Sequence, residues 1–404
     1  MCAKPFKTGC LRAALFLTCV PLAGAADPAM ALHGFIGTSF YWQDQNFIFG
    51  NGQNAEFPAP ASPGQSNDLS GSDVRNTRLW IDIDAPAGEG AWAASAHIEG
   101  DFFGGFNGTG AFSSEQESPR LRMAYFILDD AAAGSSFRIG QQWNLLFPAD
   151  NVPESYTHIA FPPALAVGII GWRFPGVVWS KELGARDDAD WHLDLGAFEG
   201  SWNGPGNDID AGSAGSAGFH PQLEARLYVE DGSLLWYTVV HYSREDLTGV
   251  GGTASALLAA SISSHAYEGG LRWQSGPWVL HAGAYEGRGL GSEFGALVQF
   301  GDIAEWGGYT QLGYKFTPEW ALYGSYGRVL PNQKEVLTWV VPSVAAPSLL
   351  GSKQFAADLL YSDGPWGLGF EWLRAITRYT ADPTGNTTAE TVGEQLSVSA
   401  IFRF

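Results

Sequence analysis

The chain has almost no cysteine to work with: Cys2, Cys10 and Cys19 are its three, and all lie within the first twenty residues. Lys4, Lys7 and Arg12 precede an apolar run from Ala13 to Ala23, and Ala23-Gly24-Ala25 offers small residues for cleavage. This is the order of a secretory signal peptide, and the run is too short to span a bilayer as a helix. A lipoprotein reading of Cys19 fails on Phe16-Leu17-Thr18, where a small residue normally comes just before the cysteine. Residues 1–25 are therefore read as a signal and 26–404 as one mature domain, since no linker or composition break divides the rest. Without that signal the chain keeps no cysteine, which excludes disulfides and thiolate chemistry.

Other shortages narrow the class further. There are only 3 Met, and charged residues make up 16% of the chain. Basic residues are scarce, 22 Lys and Arg against 42 Asp and Glu, so the formal charge is -20 and becomes -23 once the signal is gone. Nucleic acid is not expected as a partner of such a chain. No run of about eighteen apolar residues follows the signal, so helical membrane spans are excluded. No cofactor motif stands out. Gly287-Arg288-Gly289-Leu290-Gly291 lacks the Lys-Ser/Thr of a phosphate-binding loop and reads as a plain loop.

What is abundant is glycine and aromatic residues: 52 Gly, 16 Trp, 25 Phe and 14 Tyr. The chain ends on Gln395-Leu396-Ser397-Val398-Ser399-Ala400-Ile401-Phe402-Arg403-Phe404. Its apolar face is Leu396, Val398, Ala400, Phe402 and Phe404. The other face is Gln395, Ser397, Ser399 and Arg403, with Ile401 as the exception. A period of two over about ten residues suits a strand crossing a bilayer with one side in lipid. Pairing it with the first strand closes a barrel and removes the open edge.

Short turns recur at Ala85 to Gly88, Asp129 to Ser135, Gly184 to Ala189, Asp231-Gly232, Gly276-Pro277, Thr317-Pro318 and Gly364-Pro365. An aromatic follows each: Trp92, Phe137, Trp191, Trp236, Trp278, Trp320 and Trp366. Such residues mark an interfacial girdle. Longer polar connections run over roughly 43–73, 103–119, 144–170, 201–218, 244–263, 289–303, 329–352 and 378–393. Eight long loops alternating with seven turns give an all-β fold: a transmembrane antiparallel up-and-down β-barrel of about sixteen strands, with short periplasmic turns and long extracellular loops. A β-propeller would need four short strands per repeat, and this chain shows two long ones.

Alternation predicts the faces. Leu79, Leu121, Met123, Tyr125, Ile127, Leu227 and Phe402 are assigned to lipid, and Arg78, Arg120, Arg122, Arg226 and Arg403 to the inside. About sixteen strands leave a water-filled lumen where those charges stay solvated.

Thr77-Arg78-Leu79-Trp80-Ile81-Asp82, Pro86-Ala87-Gly88 and Ile98-Glu99-Gly100-Asp101-Phe102 resemble the second and third strands of DcaP-like porins. Arg120-Leu121-Arg122-Met123-Ala124-Tyr125, Gly140-Gln141 and Pro153-Glu154 continue the likeness, which is specific over about residues 74–155 and architectural beyond. Ala26 to Leu32 lead almost directly into the first strand, unlike members with an N-terminal coiled coil. The resemblance implies a homotrimer in the Gram-negative outer membrane, in contact with its lipids and lipopolysaccharide, and no enzyme. It implies a porin for small hydrophilic solutes, favouring small anions such as carboxylates.

The candidate site follows. Arg78, Arg120, Arg122 and Arg138 are expected on the lumen side, where fixed guanidinium groups orient a passing carboxylate. Glu99 and Asp101 share that face and could pair with them, leaving a neutral stiff wall. The third long loop carries Asp150 and Glu154, then the nearly chargeless run Ala160 to Ile170. So apolar a loop is expected to fold into the lumen and to set its acids opposite the arginines; packing on a neighbouring subunit is the alternative. Asn207, Asp208 and Asp210 could supply oxygen ligands to Ca²⁺, but without the EF-hand spacing. Two other functions are weighed: a barrel with a blocked lumen acting in structure or adhesion, and a barrel lipid hydrolase. The second would use His241 and Ser243 on one strand face, though no orienting third group is evident.

Overall fold

The computed structural model describes residues 28–60, 68–86, 90–104, 117–186, 189–199, 220–246, 258–342 and 347–404. The signal segment and the Asn207–Asp210 candidate lie outside them.

Antiparallel strands make up almost all of the regular structure. The first seven are β1 (Ala29–Gln43), β2 (Leu69–Asp73), β3 (Arg78–Asp84), β4 (Ala93–Asp101), β5 (Arg120–Asp130), β6 (Ser135–Trp143) and β7 (Arg173–Arg186). Next come β8 (Ala189–Phe198), β9 (Gln222–Glu230), β10 (Leu234–Asp246), β11 (Ser261–Ser275) and β12 (Trp278–Arg288). The wall is completed by β13 (Ala304–Lys315), β14 (Trp320–Pro331), β15 (Leu349–Asp363), β16 (Trp366–Thr380) and β17 (Thr388–Arg403). Each pairs with its neighbour, and β1 pairs with β17, so the sheet closes. The seam ends where the Phe404 and Gly34 amides donate to each other's carbonyls at 3.0 Å. β2 and β3 both pair with β1, as two halves of one wall position. The barrel therefore has sixteen positions.

The alternation holds along most of the wall. Leu396, Val398 and Phe402 are exposed on the outside, while Gln395, Ser397 and Ser399 are buried inside. Leu79 and Leu121 also lie exposed, whereas Arg122 is buried. At the short-turn end Trp92 meets Phe137 at 5.9 Å, Trp191 meets Trp236 at 5.8 Å, and Trp320 and Trp366 flank Tyr361 at 4.9 and 5.2 Å. The aromatics after the turns thus form a girdle.

One stretch departs from the expected faces. A β-bulge sets Glu99 opposite Met123 and Gly100 opposite Leu121, with Arg122 as the extra residue. Beyond it the faces exchange. Tyr125 stacks inside on His97 at 5.1 Å, and Phe126 points out, 42% exposed. The assignment of Met123, Tyr125 and Ile127 to lipid is therefore corrected. A bulge inserts one residue and shifts the two-residue period by one.

The last long connection is also shorter than expected. β16 and β17 run on as a paired ribbon to Thr380 and from Thr388, leaving 381–387 in place of 378–393.

Candidate functional site

The connection from β6 to β7, residues 144–172, is the third long loop, and it folds into the barrel. Leu146, Ala166, Val167 and Ile170 have no exposed surface, and Leu165 and Ile169 have 1%. An apolar segment buries itself where wall side chains also satisfy its backbone. The wall does so all round. Asn151 Nδ2 donates to the Ala282 carbonyl and to Tyr309 Oη, both at 2.9 Å. The Glu154 amide donates to Gln311 Oε1 at 2.7 Å, and the Ala164 amide to Gln354 Oε1 at 2.5 Å. Thr157 Oγ1 lies 2.8 Å from both Ser397 and Ser399. Ser155 Oγ donates to Glu371 Oε2 and His158 Nδ1 meets Glu371 Oε1, each at 2.5 Å.

The break between β2 and β3 serves the same loop. Asn76 is fully buried there; its Nδ2 donates to the Thr157 carbonyl at 2.6 Å and its Oδ1 accepts from the Ala160 amide at 3.1 Å. Close approach is also built in: Gly168 has φ +134° and lies so near Gly308 that a Cβ would sit 2.3 Å from its carbonyl oxygen.

At the root of the loop, Glu224 accepts from Asn144 Nδ2 at 3.0 Å and from the Leu145 amide at 2.5 Å, and meets His241 Nδ1 at 2.9 Å. His241 Nε2 faces Ser264 Oγ at 3.2 Å, not Ser243, which corrects the suggested pairing. Ser264 is 3% exposed in the wall, so this relay of groups fixes the loop and offers no open nucleophile.

The arginines gather on the other side. Arg122 Nε reaches Glu99 at 2.5 Å and Arg122 Nη1 reaches Asp101 at 2.8 Å. Arg120 grips Asp101 through Nε and Nη2, at 2.9 and 2.7 Å. Arg78 lies 3.9 Å from Glu99, with its Nε and Nη2 buried and unpartnered. Arg173, at the start of β7, joins them: Arg122 and Arg173 lie over the Trp143 ring at 5.7 and 4.7 Å. Arg173 is 6% exposed and its Nη1 has no partner. Four guanidinium groups thus share two carboxylates. Arg138 is set apart, exposed, over the Tyr125 ring at 5.4 Å.

Asp150 and Glu154 are not brought to this cluster. The Asp150 carbonyl accepts from Arg272 Nη1 at 2.9 Å, and the charges acting on Glu154 are Lys315, Arg403 and Arg272. Those residues belong to the short-turn ends of β13, β17 and β11. The loop spans the lumen and delivers its two acids to the far wall, correcting the expected face-to-face arrangement. Arg173 was missed, although it is the first charge after the chargeless run and directly follows Trp172.

No family model and no curated relative matches the chain. Solved structures do. The outer-membrane channel DcaP of Acinetobacter baumannii aligns at TM-score 0.69 and 16% identity, covering 94% of this chain and 98% of that one. The fold is that of the outer-membrane porins. An anion-selective porin from Comamonas acidovorans aligns at 0.56 and 12% identity, over 94% and 100% of the two chains. OmpF of Salmonella typhi, in complex with daunomycin, aligns at 0.57 and 11% identity, over 93% and 97%. These identities establish shared architecture, and the sixteen wall positions agree with it.

Proposed function

We propose that the chain is an outer-membrane diffusion channel for small hydrophilic solutes that favours small anions such as carboxylates. One observation carries this reading: Arg78, Arg120, Arg122 and Arg173 outnumber Glu99 and Asp101, and buried N–H groups of Arg78 and Arg173 stay unpartnered. Buried donors without acceptors are rare and costly, and an anion supplies the missing acceptors. A narrow, low-dielectric passage strengthens the attraction. Exposed Arg138 adds a further positive charge on the lumen side, while Asp150 and Glu154 work with Arg272, Lys315 and Arg403 at the short-turn mouth.

The porin architecture supports placement in the outer membrane among its lipids and lipopolysaccharide, after removal of residues 1–25. One Vibrio cholerae neighbour, OmpT, 12% identical with TM-score 0.54, is described as a trimer form, and we extend a homotrimer to this chain. Mass measurement of the detergent complex tests it; a clean monomer in mild detergent counts against it.

Bilayer recording in a salt gradient is the decisive test. The wild type is expected to reverse on the anion side, and Arg78→Gln with Arg173→Gln to move the reversal potential toward cations. Unchanged selectivity makes the arginines wall struts. The deep packing of the third loop favours one competing reading, a blocked structural barrel, and absence of any conductance would select it.

A further inference from the structure

Above the arginine cluster, toward the long-loop end, is a pocket of about 360 Å³. It is walled by Phe49, Phe161, Trp172, Phe174 and Phe294 and also by Asn54, Glu56, Arg120, Ser292 and Val298. Its size falls within the range of small-molecule sites. The rings are ordered against one another: Trp172 stacks on Phe294 at 4.4 Å and on Phe161 at 6.0 Å.

The polar groups of this pocket are unusual. Glu56 is 3% exposed, yet among the described residues neither carboxyl oxygen has a hydrogen-bond partner. Asn54 donates through Nδ2 to the Phe49 carbonyl at 2.9 Å, and its buried Oδ1 has no partner either. Three oxygen atoms of residues that line this aromatic enclosure are therefore without a hydrogen-bond partner. Arg120 gives Nε and Nη2 to Asp101, which leaves Nη1. Among the lining residues described, Glu56 and Arg120 are the charged ones; nearby Arg75 is closed on Asp73 at 2.6 Å.

We propose that this pocket binds a zwitterionic aromatic solute of the free aromatic amino-acid type. Its ammonium sits between Glu56 and Asn54 Oδ1, its ring lies among Phe161, Trp172 and Phe294, and its carboxylate turns to Arg120 Nη1. Each half of the site rejects a simpler ligand. A plain aromatic anion leaves these oxygens unpaired and, above about pH 8 where Glu56 is ionised, is repelled by it. A plain amine meets Arg120. An ammonium also gains from the ring faces, and a site built around buried polar groups discriminates strongly against analogues that lack the matching group.

Burial pushes the empty Glu56 carboxyl up to about 8. Binding an ammonium there needs the carboxylate, so affinity for a zwitterion is expected to rise with pH from 6 to 8, by up to about tenfold per unit.

Calorimetry on the detergent-solubilised full chain tests this with L-phenylalanine, 3-phenylpropionate and phenethylamine. Above about pH 8, where Glu56 is ionised, phenylalanine should bind at least about tenfold more tightly than either analogue, the scale of a lost charged partner. Glu56→Gln should abolish that advantage and flatten the pH slope. This variant keeps the shape and removes a poorly solvated acid, so folding is spared; Ser292→Phe, which fills the rim, should weaken phenylalanine binding as a second check. The proposal is overturned if 3-phenylpropionate or phenethylamine binds tighter than phenylalanine, if none binds, or if the Glu56→Gln slope matches the wild type. Ion selectivity is read separately in bilayers, so failure here leaves the anion-channel reading standing, and failure there leaves this site standing.

Discussion

The two sides of the lumen meet the third loop with opposite chemistry. On the β12–β17 side the contacts come mainly from uncharged groups, Tyr309, Gln311, Gln354, Ser397 and Ser399, with Glu371 and Arg403, which lies over the Tyr156 ring, among the charged ones. On the β3–β7 side the inner face is crowded with arginine and two shared carboxylates. The first side grips the loop through many hydrogen bonds and holds a shape, although among the described residues buried atoms of Asp358, Tyr379 and His281 there lack partners too. The second keeps unpartnered donors and holds a field. Mutations on the two sides should therefore separate stability from selectivity.

The largest effect is expected at Glu371. Replacing it with Ala strands the buried His158 ring N–H and removes the acceptor for Ser155, at roughly 1–3 kcal/mol for each buried group left unsatisfied. Its checks are a lower unfolding temperature and faster proteolysis near residue 158, with ion selectivity unchanged. Asn76→Ala should follow at roughly 1–3 kcal/mol, because the Thr157 carbonyl and Ala160 amide lose their partner. Noisier single-channel current with the wild-type reversal potential would place it on the shape side.

Within the arginine wall a finer split is expected. Arg122→Gln should cost stability, since it leaves Glu99 without its closest cation and Asp101 held by Arg120 alone. Arg78→Gln should cost little and act on selectivity, because its own ion pair is long, 3.9 Å. Equal loss of melting temperature in the two variants would erase the distinction.

The smallest effect concerns pH. Glu56 is an acid whose folded pKa is raised to about 8, so the native state holds the proton more tightly than the unfolded chain does. Its contribution is present at low pH and is lost as pH rises from about 4.5 toward 8. Glu56→Gln should flatten the fall in melting temperature across that window.

The wall was largely legible because membrane strands obey one strict rule, and its period survives in β1, β3 and β17. It failed where both faces are apolar. Met123 to Leu128 reads the same in either register, so nothing in the sequence marked the bulge at Arg122. The far ends of β16 and β17 failed for the converse reason: Thr388, Glu390, Thr391 and Glu394 look like loop, because a ribbon standing clear of lipid needs no apolar face. In the candidate site, the paired Arg120, Arg122, Glu99 and Asp101 were legible from adjacent strands. Arg173 and the course of Asp150 and Glu154 were not, since they depend on how a long loop crosses space.

The inward loop also touches both flanks of the barrel seam. Thr157 bonds Ser397 and Ser399 on β17, while its carbonyl is held by Asn76, at the break in the wall position on the other side of β1. The last strand and the first thus meet over a clasp already made of residues from mid-chain. Closing the seam and filling the interior are thus tied through one residue: cutting that clasp loosens the plug and the two edges of the barrel together.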